Sequence, residues 1–341
     1  AFDYPKEKVQ IIIGDDSNDP LVSQKIDAFA QETGVEVTRR GENIGFKPGN
    51  LNHMLKFTRG DFIVIFDSDF LPKKDFLRRI ISPFVHDENI HGVQARWKMK
   101  NFSQNLSSIV GSTIPMFSHQ LGLPFMQMIG SNGFIAGSAE AVRKSTLIEQ
   151  GGWTSGAFTE DIEYSMRLTK AGKKIVYLEK LECECEAPFT VADLCKQQLR
   201  WAYGVIKSCK MHFVDIMKSR KVSFAWKVNP MLLLAGYLVT FQFFLLFVLG
   251  MLSIITHEPS PVNWALFFTK TGINILLTSG FVVSSIILLN RTKRRSDIPR
   301  MIGASFSVGL LVVYTVSKGV LKALFNRPMF WFMLNKKGNT V

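Results

Sequence analysis

The sequence predicts an α/β domain on an open, mostly parallel sheet, followed by α-helical segments long enough to cross a membrane. Hydropathy divides the 341-residue chain near residue 225: short β-branched runs alternate with charged, helix-like stretches before it, and long apolar runs dominate after it. Two of the short runs, residues 9–14 (VQIIIG) and 61–66 (DFIVIF), end at acidic residues, the pattern of buried parallel strands whose carboxyl ends carry a site. The 47% hydrophobic content exceeds what one average domain needs.

Between the two strands, residues 21–33 and 49–58 read as helices. Ligands of open sheets bind at the carboxyl ends of strands, where Asp15, Asp16, Asp67 and Asp69 fall, so four carboxylates are expected on one rim. This domain is expected over residues 1–215, with a basic juxtamembrane linker over 216–229. A transmembrane hairpin follows over 230–290. Its arms, 230–255 and 264–289, would each extend about 39 Å as helix, enough for about 30 Å of hydrocarbon. The turn at 257–263 lacks Lys and Arg, whereas Lys218, Arg220 and Lys221 flank one side and Arg291, Lys293, Arg294 and Arg295 the other. The positive-inside bias then predicts a multi-pass membrane protein with its α/β domain in the cytoplasm. Residues 291–341 hold a basic loop and a third apolar run, 301–325. Lys318 and Lys322 sit there at helical spacing, so that run spans the membrane or lies in its interface.

The formal charge is +13. With basic clusters beside apolar runs and no nucleic-acid-binding module, it points to a lipid membrane as partner and to no nucleic acid. Cys183, Cys185, Cys195 and Cys209 form neither a metal spacing nor a secreted disulfide pattern and read as reduced thiols. The six histidines are scattered and suggest no histidine metal site. Residues 1–10 carry charge and a proline instead of a signal peptide, so the start reads as interior to a longer protein.

Several motifs can carry chemistry, each with a plainer alternative. Asp67-Ser68-Asp69 follows a strand directly, and two carboxylates one residue apart can share a divalent metal that carries a diphosphate; a solvated turn has the same composition. Asp15 and Asp16 can bond the base or ribose of a nucleotide, or lie in a polar turn. Within the Gly-rich stretch 42–52, Lys47 can meet phosphate as a point charge, or be a surface lysine. Thr159-Glu160-Asp161 precedes a helical stretch at 162–171. It can supply the carboxylate that takes a proton from an acceptor hydroxyl, or be an acidic helix start. In Gln197-Gln198-Leu199-Arg200-Trp201, the arginine can stabilise a departing diphosphate and the indole can stack on a sugar, or both can be core residues.

Taken in order, these motifs resemble the D-D, D-x-D, T-E-D and Q-x-x-R-W series of processive family-2 glycosyltransferases, the group of cellulose, glucomannan, chitin and hyaluronan synthases. The resemblance covers nearly the whole chain. Residues 65–72 (IFDSDFLP), Gly92-Val93-Gln94-Ala95-Arg96-Trp97 and Gly151-Gly152-Trp153 lean toward the cellulose and glucomannan synthase-like branch. It implies a GT-A-type, Rossmann-like domain and an inverting transfer from a nucleotide sugar, UDP-glucose or GDP-mannose, to the hydroxyl of a growing β-linked polysaccharide. It also implies site roles. Asp161 would be the base. Asp15, Asp16, Lys47 and Arg200 would bind the nucleotide sugar, and Asp67 and Asp69 would do so with Mg²⁺ or Mn²⁺. Gln197, Trp201 and the loop carrying Gly130 and Ser131 would bind the acceptor.

Departures accompany the pattern. The family's first strand is expected ahead of Ala1 and further membrane helices beyond Val341, so the chain reads as truncated at both ends. Residues 332–338 (FMLNKKG) stand where the family carries an F-x-x-T-P-K gating loop, with Asn335 for threonine and Lys336 for proline. Two other readings stay open: addition of a single sugar to a lipid carrier, against which Q-x-x-R-W argues, and a catalytically silent sugar-binding membrane fragment.

Overall fold

In the computed structural model, which describes residues 2–256 and 263–331, the chain begins with local signals that fix a βαβ unit. The Asp19 side chain accepts the Leu21 N–H at 2.9 Å, Pro20 opens the helix, and Gly34 closes it at φ 72°. This helix, α1 (Pro20–Thr33), joins β1 (Ile12–Gly14) to β2 (Glu36–Thr38), which pair in parallel with Ile13 opposite Val37. Helix α2 (Phe46–Leu55) follows and leads to β3 (Phe62–Ile65).

Next come α3 (Phe76–His86), β4 (Ile90–Met99) and α4 (Leu106–Phe117); a wide turn, Ser118–Gly122, connects α4 to α5 (Leu123–Met128). The chain returns through β5 (Glu140–Arg143), α6 (Lys144–Glu149), α7 (Glu160–Lys170) and β6 (Lys174–Cys185).

The main sheet has the order β3-β5-β4-β6. Strand β5 runs antiparallel to both β3 and β4, while β4 and β6 are parallel. The expected mostly parallel sheet is therefore corrected to a mixed one. Apolar runs mark a strand as buried but do not encode its direction, and β5, with polar residues at both ends, is too short to announce itself. Phe76, Ile80 and Phe84 of α3 pack beneath this sheet against Val93, Ala95 and Ala141.

Helix α8 (Val191–Lys218) is capped by Thr190, whose hydroxyl accepts the Asp193 N–H at 3.0 Å. Beyond it lie α9 (Phe224–Thr256), α10 (Trp264–Thr278), α11 (Gly280–Arg291), α12 (Ile298–Phe306) and α13 (Val308–Leu324). Among the described residues, α9 alone is a continuous helix long and apolar enough to cross a membrane, with a mean hydropathy of 2.5 over its apolar window. Its outer face leaves Leu245, Leu246, Phe247 and Leu252 exposed.

The second expected span, 264–289, is broken at Ser279, before Gly280, and the third run is broken at Ser307 with a bend of 49°. Counted as one span, that bent pair raises the number of candidates to two. Gly and Ser side by side, as at Ser279–Gly280, are a common cause of helix breaks, and at Ser307 the hydroxyl donates back to the Gly303 carbonyl at 2.8 Å; apolar composition alone reveals neither. Residues 257–262 of the expected hairpin turn at 257–263 and the gating-like stretch at 332–338 lie outside the described residues.

Helix α13 lies against α8. Val312, Val316, Val320 and Ala323 share one core with Leu194, Ala202 and Ile206 of α8 and Ile109 of α4. Contact is closest at Gly319, where a Cβ would stand 2.9 Å from both the Ala202 Cβ and the Leu199 carbonyl oxygen. Gly319→Val should therefore force the helices apart at a cost of about 1–3 kcal/mol. Thermal unfolding of the purified protein is expected to show a lower midpoint; an unchanged midpoint would mean that the two helices do not pack this closely.

Candidate active site

Lys47, in the first turn of α2, gathers the acidic motifs. Its ammonium lies 2.8 Å from Asp67 Oδ1, 2.6 Å from the Gly137 carbonyl and 3.2 Å from Glu160 Oε1. An ammonium has three protons, and three acceptors surround it. Burial would push its pKa down, but Asp67 and Glu160 outweigh that and hold it above the ordinary lysine range. The helix itself is anchored from several sides. Arg40 donates to both carboxylate oxygens of Asp16, at 2.8 and 2.6 Å, and also to the Ile44 and Phe46 carbonyls. Asn52 exchanges two hydrogen bonds with the Trp153 backbone, at 2.7 and 2.9 Å.

Asp161 lies in the first turn of α7, which starts at Glu160, two residues earlier than the sequence pattern suggests. Its Oδ1 accepts the Ile162 N–H at 2.8 Å. Loss of hydration and the neighbouring Glu160 push its pKa up, Lys47, the Ile162 N–H and Arg200 pull it down, and the balance stands at about 7. Against it packs Gly137, at φ +83°, where a Cβ would come within 3.0 Å of Asp161 Oδ2. The Gly137 loop is held by Gln94, which donates to Ser138 O at 3.0 Å and accepts from Ala136 N at 2.7 Å, and by Trp97, which donates to Ser138 O at 3.0 Å.

Sequence reasoning missed two participants. Glu140, at the start of β5, is 1% exposed and accepts the Gly137 N–H at 2.5 Å. Burial first, and Asp161 next, raise its pKa well above the carboxylate range. A lone glutamate among alanines in a strand was the only available signal. Trp331 stacks on Phe46 with centroids 5.1 Å apart and lies under the Arg200 guanidinium at 4.7 Å. Its distance from the motifs in sequence concealed it.

The other expected site residues are distributed as follows. Asp15 is buried: that pushes its pKa up, but bonds from Ser17, Arg39 and Ser23 bring it down to about 2. Asp67 donates its backbone N–H to Ser138 Oγ at 2.8 Å, and Asp69 Oδ2 accepts the Glu186 N–H at 3.3 Å. Gln197 and Arg200 project from α8; Gln197 is buried beside Gln198, and Trp201 is half-buried. Gly130 and Ser131 stand apart. Their neighbour Asn132 donates to Thr169 and Lys173 at the far end of α7, about 12 Å along the helix from Asp161.

Among the described residues, no group of three or more His, Cys, Asp or Glu side chains forms a ready-made metal cage. The two carboxylates of Asp67 and Asp69 nonetheless fit a hard cation that takes its remaining oxygens from a diphosphate and water.

Residues 62–281 match the sequence profile described as glycosyl transferase family group 2. The chain belongs to that family. Two relatives of this family 2 chain are plant proteins. Glucomannan 4-beta-mannosyltransferase 7 of Arabidopsis thaliana is 29% identical over 81% of this chain and 52% of its own length. Probable glucomannan 4-beta-mannosyltransferase 9 of Oryza sativa subsp. japonica is 30% identical over 82% and 55%. The family 2 chain thus spans about half the length of these relatives. Among solved structures, a mannosyltransferase from Pyrobaculum calidifontis in complex with GDP-Man and Mn²⁺ matches with a TM-score of 0.60 and 16% identity, covering 96% of this chain and 81% of its own. That likeness shows the fold: GT-A-like, with mixed sheets and helices.

The raised proton affinity of Asp161 has a consequence for stability. From the ordinary aspartate range up to about pH 7, the folded chain keeps a proton that the unfolded chain has released, so stability falls as pH rises through that window. Asp161→Asn should therefore raise the unfolding temperature at about pH 8 and lose most of that gain at about pH 4. Thermal scans of both proteins at the two pH values test this; an equal difference at both would mean that the carboxyl is not perturbed.

Proposed function

We propose that this family 2 chain carries the catalytic part of an inverting glycosyltransferase that extends a β-linked polysaccharide at a membrane, with a hexose from a nucleotide sugar and GDP-mannose as the favoured donor. The plant relatives, whose names specify mannosyl transfer in glucomannan, favour the mannose donor of the two expected nucleotide sugars. The arrangement that carries the chemistry is Asp161: a carboxyl at the start of α7, its proton affinity raised by loss of hydration and by Glu160, against a glycine that leaves room at its oxygen.

On this reading Asp161 accepts the proton of the acceptor hydroxyl as that oxygen attacks the anomeric carbon, and the nucleotide diphosphate leaves from the opposite face. Displacement from one face turns an α-linked donor into a β-linked product. Lys47 receives the diphosphate by exchanging one acceptor. The contact to Asp67 is the one open to exchange, because the Asp67 side chain is 42% exposed and that of Glu160 6%. Arg200 adds positive charge on the same side, and Gln197 and Trp201 of α8 line the acceptor path, while the Gly130–Ser131 loop, held at the far end of α7, has no part in it. Asp15 and Asp16 shape the nucleotide end through Arg39 and Arg40. Asp67 and Asp69 are the residues that would hold Mg²⁺ or Mn²⁺, which when bound neutralises charge on the departing diphosphate.

The basic flanks and the apolar α9 support a multi-pass membrane protein with this site on the cytoplasmic side. The silent-fragment alternative is disfavoured because the acidic side chains are held in contact with Lys47 as well as retained.

Membranes containing the chain are to be incubated with a panel of radiolabelled nucleotide sugars, with Mg²⁺ or Mn²⁺ and with a chelator. GDP-mannose is expected to give high-molecular-weight β-linked product, rising in rate with pH through about 7 and lost in Asp161→Asn and in chelator. Product of one added sugar would instead favour transfer to a lipid carrier. No transfer from any donor would sink the proposal.

A further inference from the structure

Away from the transfer site, a cavity of about 280 Å³ opens between α9 and the outward stripe of α13. Its walls include Phe244, Tyr314 and Phe325, with the rings of Phe244 and Tyr314 5.7 Å apart. Its rim is cationic. Lys318, Lys322 and Arg327 line it, and no acidic side chain does so among the described residues. Lys322 donates to the Pro328 carbonyl at 3.2 Å, and among the described residues neither Lys318 nor the Arg327 guanidinium belongs to an ion pair. Three like charges gathered without a counter-charge repel one another, a cost that a seated anion would offset. The apolar wall also continues along α9: Phe247 and Met251, three and seven residues beyond Phe244 on the same helical face, are 60% and 47% exposed.

We propose that this cavity binds one anionic phospholipid, its headgroup phosphate between Lys318, Lys322 and Arg327 and an acyl chain along Phe247 and Met251. A soluble phosphate would match the cations and leave the apolar wall bare. A neutral lipid would cover the wall and leave the cations unmatched. An anionic lipid satisfies both, and cations beside an acidic lipid surface are each worth about fivefold in binding. The site shares with the proposed function only the reading of α9 as a membrane helix.

The full chain, purified in neutral detergent and stripped of lipid, is to be equilibrated with mixed micelles containing equal phosphatidylglycerol and phosphatidylcholine. Bound lipid is then counted by native mass spectrometry. About one phosphatidylglycerol should be retained in preference to phosphatidylcholine, with affinity falling about fivefold in Lys318→Gln and about 25-fold in the Lys318→Gln/Lys322→Gln double variant. Lys25→Gln on the distant α1 should leave it unchanged. Equal retention of the two lipids, full retention by a double variant that keeps its unfolding midpoint, or displacement by inorganic phosphate alone would each overturn the proposal. Should the double variant fail to fold, Lys318→Gln alone decides the matter, and full retention by it would overturn the proposal equally. No sugar donor is present, so failure here leaves the transfer reading untouched.

Discussion

Lys47 sets the electrostatics on which the acidic end of this chain depends. Four carboxyl groups converge there: Asp67 and Glu160 as direct partners, and Asp161 and Glu140 within electrostatic reach. One ammonium cannot balance four ionised carboxylates away from bulk water. The crowding raises the proton affinity of the two that make no ion pair with the lysine, Glu140 and Asp161. The motifs are therefore coupled parts of one charge balance. A change at Lys47 would alter the proton affinity of Asp161 without touching it, because Lys47 is among the charges that lower it.

Helix α8 carries the mechanical counterpart of that coupling. One part of it meets the acidic motif, since a Cβ at Gly204 would stand 2.9 Å from the Cβ of Thr159. Another part meets α13 at Ala202 and Leu199. The same helix bears Gln197, Arg200 and Trp201, so these three residues rest on an element clamped between the carboxylates and the apolar helices. A helix placed this way has little freedom to slide, because both contacts are made at backbone distance through glycine.

Much of this was legible from the chain alone, and for identifiable reasons. Strands ending at Asp15 and Asp67 are marked by β-branched runs, and α1 is bracketed by Asp19, Pro20 and Gly34. Strand direction was not legible, because β5 is a short EAVR segment and apolar content is indifferent to polarity. The breaks at Ser279 and Ser307 escaped because hydropathy averages over the residues that interrupt a helix. In the site, the four motifs could be named individually, but Glu140 and Trp331 belong to no motif. Their roles arise from tertiary approach, through Gly137 for one and through Phe46 and Arg200 for the other.

The proton affinity of Asp161 also explains why the site is built from partly conflicting charges. A carboxylate with its ordinary pKa would be fully ionised at neutral pH and a weak base toward a sugar hydroxyl. Loss of hydration and a second carboxylate at Glu160 raise its basicity, while Lys47 and Arg200 keep it from remaining protonated under working conditions. The balance near neutrality requires all of these neighbours. Stability sacrificed by crowding the carboxyls would be the counterpart of the proposed base role, and the well-packed α8–α13 core lies on the other side of α8 from that crowding.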